Sequence, residues 1–363
     1  MNAEDLNRAL SGEDLRVDVS AIEKNLSALW REEWEDDAAA MRAALWNVVA
    51  HTSDDSARGT ASETLSSASV RVPQRSIVVC ATPHSDPMMD AWITANCHLV
   101  RDGGRVCSEE ISIRAGGSRV RHVPPLVNAL LVPEMPVATW WLGDLPSENE
   151  SYLKALFEPV DRLIVDSADF DDISDIRFVG RMGIESNTSL ADLNWARLDE
   201  WREATASIFD PPHMRQRLRM VRRIRVVTGV SGRDYFGEDV AALLYLAWLI
   251  AQTGMRVETD GTAHGASGAV RLELERQRSG QRGILFVEIR FDDESSVTVE
   301  RHEESGRLVT HVAGIAQCIG SVTPSQPVRL EDLVVRELAR SAGDEVFHRA
   351  LPVAVEIARP FLR

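Results

Sequence analysis

Two short apolar runs, residues 43–51 and "RSIVVCA" at 75–81, flank a stretch of helical length that opens on Ser53, Asp54, Asp55 and Ser56. Runs of that length between turn or capping residues read as buried strands, and Ser or Asp before a periodic segment reads as a helix N-cap. Strand, helix and strand in so short a span favour the parallel, right-handed βαβ crossover. Parallel strands are buried on both faces, so this start commits the chain to an α/β fold.

The neighbouring segments extend that sheet. Residues 91–99 alternate apolar and polar, and 105–114 return after Asp102, Gly103 and Gly104, which predicts a hairpin with one wet face. Glu109 shares the face of Cys107, Ile111 and Ile113, so its carboxylate is expected to be buried with a partner or to lie at the sheet edge. Cys97 and Cys107 read as diagonal neighbours across the hairpin, too far apart for a bridge, so all four cysteines are expected to be free thiols. A short helix is predicted over 123–132, a strand over 136–142, a helix opened by the Ser147–Glu150 capping box, and a strand over 162–166.

At 363 residues the chain exceeds one ordinary core. It divides into an acidic, loosely helical segment (1–35), an α/β domain (36–184) and an α+β domain (185–363). The first domain is expected to hold a mixed, partly parallel sheet with crossover helices. In the second, residues 190–209 read as one amphipathic helix, and a shorter one carries Met214, Leu218 and Val221. A strand at 223–228 and a buried helix at 236–252 follow, then a β-rich region forming an antiparallel sheet (255–315) and two closing helices.

The formal net charge of −16 opposes phosphate backbones and anionic membranes, so neither nucleic acid nor membrane is an expected partner. The N-terminus lacks the apolar core of a secretion signal and no run reaches bilayer length, which places the chain in the cytoplasm by expectation. GxGxxG, GxxxxGK[ST], HExxH, GxSxG and CxxC are missing, and the nine histidines show no helical i, i+4 pairing. No catalytic, cofactor or metal residue is therefore assigned.

Three features remain as candidates for partner or ligand contact. In "PVATWWLGDLP", Trp140 and Trp141 must point to opposite faces of a strand. Either the sheet is covered on both sides, or one ring stands at a crevice beside Gly143 and Asp144. Asp144 and Asp166 each follow a strand, which places them at the carboxyl edge where open α/β sheets bind ligands; as plain turn residues they carry no such role. Arg215, Arg219 and Arg222 share one face if their segment is helical, forming a basic patch on an acidic protein.

The blocks "CSEEISIRAGG", "HVPPLVNALLVPEMPVATWWLGDLP", "DRLIVDSADF" and "DLNWARLDEWREATASIFDPP" resemble, in this order, the OpcA family of glucose-6-phosphate dehydrogenase assembly proteins. The resemblance covers about residues 75–212 and implies a non-catalytic protein without a cofactor. Such a protein promotes assembly or allosteric activation of the dehydrogenase that opens the oxidative pentose phosphate pathway. Trp and Arg anchors dominate such interfaces, and Trp30, Trp34, Trp195 and Trp201 lie in charged surroundings that argue against a pure core role. The alternative is a sugar-phosphate or nucleotide-binding module with its site near Asp144 and Asp166. Self-association stays open.

Overall fold

The computed structural model describes residues 8–10, 12–36, 40–42, 44–99, 105–143, 145, 160–170, 174–185, 188–230, 236–258, 262–302, 306–315, 320–325 and 328–358. The chain folds into two compact units, Met1–Val165 with Arg329–Ala342, and Asp166–Val328 with Gly343–Arg363. Both are mixed α/β.

In the first unit the strands are β1 (Leu15–Val17), β2 (Ala40–Arg42), β3 (Trp46–Thr52), β4 (Gln74–Thr82), β5 (Met88–Leu99), β6 (Arg105–Gly116), β7 (Val137–Trp141) and β8 (Arg162–Val165). They lie in the order β1-β5-β6-β4-β3-β7-β8, with β2 also paired to β6. The run from β6 to β8 is parallel, as the crossover argument requires, while β5 returns antiparallel on β6. Val48, Ile77, Val78, Ile111, Trp140 and Ile164 fill the core on both sides of this sheet.

The crossover helix Asp55–Ser69 begins where predicted, with the Asp54 carboxylate accepting from the Ala57 amide at 2.8 Å. It buries Ala61, Leu65 and Ala68. Helix Leu330–Ala339 packs beside it and buries Leu333, Val334 and Leu338, with an Arg71–Asp332 ion pair of 2.7 Å at the end of the contact. The helix expected from the Ser147–Glu150 capping box lies outside the described residues.

Glu109 is buried with partners. The β4–β6 register sets it opposite Arg75, whose guanidinium bonds its carboxylate, and the Trp30 Nε1 donates to it at 2.7 Å. Arg75 also donates to the Leu130 carbonyl and meets Glu23 at 2.7 Å.

The free-thiol expectation is corrected at one pair: Cys97 and Cys107 form a disulfide. The β5–β6 register sets them directly opposite rather than diagonally, with Cα atoms 4.0 Å apart. Directly opposed residues come this close only in the narrow, non-hydrogen-bonded pairs of an antiparallel ladder. Cys80 is a buried free thiol. Reducing the denatured chain is expected to add two alkylation labels, mapped by mass to Cys97 and Cys107; an unchanged label count would refute the bridge.

The second unit holds β9 (Ser189–Asp192), β10 (Val221–Val230), β11 (Arg256–Val257), β12 (Ala263–Gly265), β13 (Gly268–Arg278), β14 (Gly283–Phe291), β15 (Ser296–His302), β16 (Arg307–Ala313) and β17 (Val322–Pro324). Its large sheet runs β11-β12-β13-β10-β14-β15-β16-β17. The β-rich region is antiparallel as expected, except that β13 lies parallel to β10. Helix Phe236–Thr253 covers one face, packing on β10 and β14 and on helix Glu345–Ala358. Its interior, from Val240 to Ile250, is buried on all sides.

Residues 190–209 are not one helix. They form β9, helix Leu193–Arg197 and helix Asp199–Ile208, with Leu198 between the helices. The break has a local cause: Asp192 is extended and its carboxylate caps the Asn194 amide at 2.9 Å, an alternative to helical backbone bonding. The predicted helix through Val221 likewise ends early, as helix Pro212–Arg217 and a single 3-10 turn, Leu218–Met220. Among the described residues, no helix is long and apolar enough to cross a membrane.

Candidate functional site

In the first unit the strand order reverses at β3: β4 and β6 follow on one side, β7 and β8 on the other. The crevice outside the carboxyl ends of β3 and β7 is where open α/β sheets take dinucleotides and other ligands, with the pyrophosphate on the N-terminus of the first crossover helix. Here that helix opens on Asp54 and Asp55. Asp54 itself occupies the capping position, and Asp55 pairs with Arg58 at 2.9 Å and Arg114 at 3.3 Å.

At the strand ends His51 stacks on Trp141, with ring centroids 4.0 Å apart and planes 16° from parallel. The Leu142 amide donates to the His51 carbonyl at 2.9 Å. Trp140 and Trp141 are both buried, at 1% and 4% exposure, because core layers cover both faces of β7. Neither ring is left at the crevice mouth. Gly143 follows with φ of 83°, the left-handed region that glycine adopts without strain, and is exposed. Asp144 lies outside the described residues. Among the described residues neither His51 nitrogen, nor the Trp140 Nε1, nor the Thr139 hydroxyl has a hydrogen-bond partner. Burial holds the His51 imidazole neutral, with its pKa depressed to about 3.

Asp166 opens the second unit and is committed. Both its oxygens accept from Arg197, each at 2.7 Å. Burial works against the Arg197 charge, and the Asp166 bond and charge more than offset it, so its pKa is raised. Beside them Asp192 accepts from the Ser167 amide at 3.0 Å and hydroxyl at 2.7 Å. Burial, and then the charge of Asp166, pushes the Asp192 carboxyl up to about 6.

The arginine run divides into two classes. Arg217 meets Asp293 at 2.8 Å, Arg223 bonds Glu288, and Arg225 meets Glu275 through two bonds of 2.9 and 2.6 Å. Arg215, Arg219 and Arg222 are exposed, and among the described residues none of them meets a carboxylate. Arg215 donates to the Asp210 carbonyl at 3.0 Å, and Arg222 to the Ser267 carbonyl. The shared helical face is corrected: Arg215 sits on helix Pro212–Arg217, Arg219 in the 3-10 turn and Arg222 on β10. Arg219 and Arg222 come together through Ser267, whose hydroxyl bonds the Arg219 carbonyl at 2.5 Å.

The second unit also holds a partly open cavity of about 520 Å³. Arg197, Trp201, Gln281, Arg282, Arg301 and Ser325 are among its walls. Sequence reasoning passed over Arg301, although "SVTVERH" puts it on the strand parity of Val297 and Val299, both core residues. A charged residue in phase with a buried apolar row was the available signal.

Two family models match the chain in order. The glucose-6-phosphate dehydrogenase subunit N-terminal domain matches residues 65–179, and the C-terminal domain of the same subunit matches 188–351. A protein named OxPP cycle protein OpcA from Synechococcus elongatus is 27% identical over 307 residues, covering 77% of this chain and 67% of its own length. Its namesake from Nostoc punctiforme is 30% identical over 314 residues, covering 79% and 66%. The chain thus spans about two thirds of the length of these relatives. Among solved structures, an oxidoreductase from Sinorhizobium meliloti superposes with a TM-score of 0.51 over 88% of this chain and 97% of that one. At 9% identity that likeness is one of fold. The two subunit models, matched in order over most of the sequence, and the relatives that carry the name show that the chain belongs to the OpcA family.

Proposed function

We propose that the protein is a non-catalytic partner of glucose-6-phosphate dehydrogenase that favours the active assembly of that enzyme, in service of the oxidative pentose phosphate cycle. The match to both domains of the dehydrogenase-subunit models carries this reading. The geometry of the first unit supports the non-catalytic part. A dinucleotide laid across the β3–β7 crevice would bring its pyrophosphate against Asp54 and Asp55 rather than a glycine-rich turn, and the His51–Trp141 stack occupies the strand ends.

A partner of this kind acts by linkage. A hundredfold preference for the active assembly shifts the equilibrium by about 2.7 kcal/mol, with no chemistry of its own. Arg215, Arg219 and Arg222 are the side chains we assign to the contact, since they are exposed cations without a carboxylate partner among the described residues. An acidic surface on the enzyme is their complement. Mixing the two proteins is expected to give one co-eluting complex of higher mass and a higher dehydrogenase rate. Changing all three arginines to glutamate is expected to weaken the complex at least tenfold, about 1.4 kcal/mol or more, mostly through slower association at low salt. Separate elution with unchanged kinetics would overturn the reading.

A further inference from the structure

Part of the hydrogen-bonding capacity in the cavity walls of the second unit is unspent. Among the described residues, Arg301 Nε, Gln281 Oε1 and Ser325 Oγ are buried without a hydrogen-bond partner. Ser325 is only 4% exposed. Buried polar groups in folded proteins are ordinarily satisfied, and an orphan calls for an explanation. The three lie on side chains that line one partly open space, where a ligand entering between them would supply the missing partners.

The wall also has a defined sign. Arg301 extends from β15 on the side of Val297 and Val299, and its guanidinium carbon stands 5.6 Å from the centre of the buried Trp201 ring. Burial lowers its pKa, the nearby Glu200 charge opposes that shift, and a guanidinium stays protonated throughout. A purely structural arginine at this depth would be expected to hold a carboxylate or carbonyl. Arg197 shows the contrast on the same wall, since Asp166 grips it through two bonds. The remaining groups are complementary in kind. An amide oxygen accepts from a hydroxyl, and a serine hydroxyl donates or accepts. The volume falls within the usual range for small-molecule sites, roughly 300–1,000 Å³.

We propose that this cavity binds a small hydroxylated anion, a sugar bearing one phosphate or carboxylate group. Arg301 takes the anionic group, Gln281 Oε1 accepts from a ring or chain hydroxyl, and Ser325 completes the shell. Asp166 acts one step removed, fixing Arg197 at the rim. This places the ligand site on residues other than the strand-edge aspartates that the sequence suggested. It does not depend on the dehydrogenase reading, because the isolated chain suffices to test it.

The test is calorimetric titration of the full chain at low, fixed salt, with thermal melts alongside. Glucose 6-phosphate, gluconate, inorganic phosphate and glucose are the probes. Saturable binding is expected from at least one of the two sugar anions, weaker binding from phosphate and none from glucose. The stronger sugar anion identifies whether phosphate or carboxylate is the natural group. Arg301→Met is expected to weaken that binding at least tenfold while raising the melting temperature of the ligand-free chain, because a half-buried guanidinium whose Nε is buried without a hydrogen bond has been removed. Gln281→Leu, on another strand-end segment, should narrow the preference for the sugar anion over inorganic phosphate, and it serves as the test if Arg301→Met fails to fold. No saturable heat from any anion up to about 10 mM, a free-energy scale too weak for a built site, overturns the proposal. So does unchanged binding in both variants.

Discussion

Arg75→Met is expected to lower the unfolding free energy of the first unit by about 3–5 kcal/mol, the cost of breaking a buried ion pair from one side. Arg75 and Glu109 face each other across β4 and β6 with side chains 4% and 3% exposed. Methionine keeps the length of the side chain but removes the cation from Glu109 and the donor from the Leu130 carbonyl. The carboxylate retains the Trp30 indole at 2.7 Å, which supplies a hydrogen bond but no charge. The double variant Arg75→Met/Glu109→Leu should recover most of the loss, since an apolar pair of matched volume needs neither charge nor donor. Denaturant unfolding of the three proteins checks this. A double variant no more stable than Arg75→Met would show that the cost lies in packing rather than in the carboxylate that has lost its Arg75 charge.

The second large effect is one of pH, and it is hidden in the unmodified chain. His51 and Glu110 are both buried in the first unit, and burial moves them in opposite directions. The imidazole falls from 6.5 to about 3, and the carboxyl rises from 4.5 to about 7, chiefly by burial, while the Ser62 hydroxyl bonded to it at 2.5 Å pulls the other way. Between pH 6.5 and 3 the unfolded chain holds a proton on His51 that the folded chain lacks, so stability falls as pH falls. Between pH 7 and 4.5 the folded chain holds a proton on Glu110 that the unfolded chain lacks, so stability rises as pH falls. Each slope is about 1.4 kcal/mol per pH unit, and in the overlap they cancel.

Removing either group should expose the other. From pH 6.5 to 5, Glu110→Gln is expected to lose about 2 kcal/mol relative to the unmodified protein, and His51→Phe to gain about as much. Phenylalanine preserves the stack on Trp141 and leaves no ring nitrogen unsatisfied. Other titrating groups are common to all three proteins and drop out of the comparison. Parallel stability profiles for the three would show that neither group is held as described.

Much of this fold was legible because burial on two faces leaves a plain trace. The runs at 43–51 and 75–81 became β3 and β4, parallel and in register, joined by the helix that Asp54 caps. The hairpin was equally plain, but its register was not. Whether Cys97 meets Cys107 directly or diagonally depends on the turn between the strands, to which period-two alternation is blind. The segment at 190–209 has helical spacing throughout, and only the competing bond of Asp192 reveals a strand there. Trp30, Trp195 and Trp201 have charged neighbours in sequence yet are 1–2% exposed, since on a helix adjacent residues point in different directions. Trp34 lies beyond the described side chains. At the candidate sites the arginine run was visible as composition, whereas its division into paired and unpaired members depends on carboxylates distant in the chain, such as Glu275 and Asp293. Arg301 was readable from strand parity, but its lack of a partner was not.

Helix Leu330–Ala339 belongs to the first unit although the second unit's whole sheet precedes it in sequence. On a ribosome the crossover helix Asp55–Ser69 therefore emerges long before the helix that covers it. At synthesis rates of about 5–20 residues per second, the gap of more than 260 residues lasts on the order of 13–50 seconds. Through that interval the nascent first unit carries an uncovered apolar flank. A segment made after the whole sheet of the second unit closes the first unit, which ties the maturation of one half of the protein to synthesis of the other.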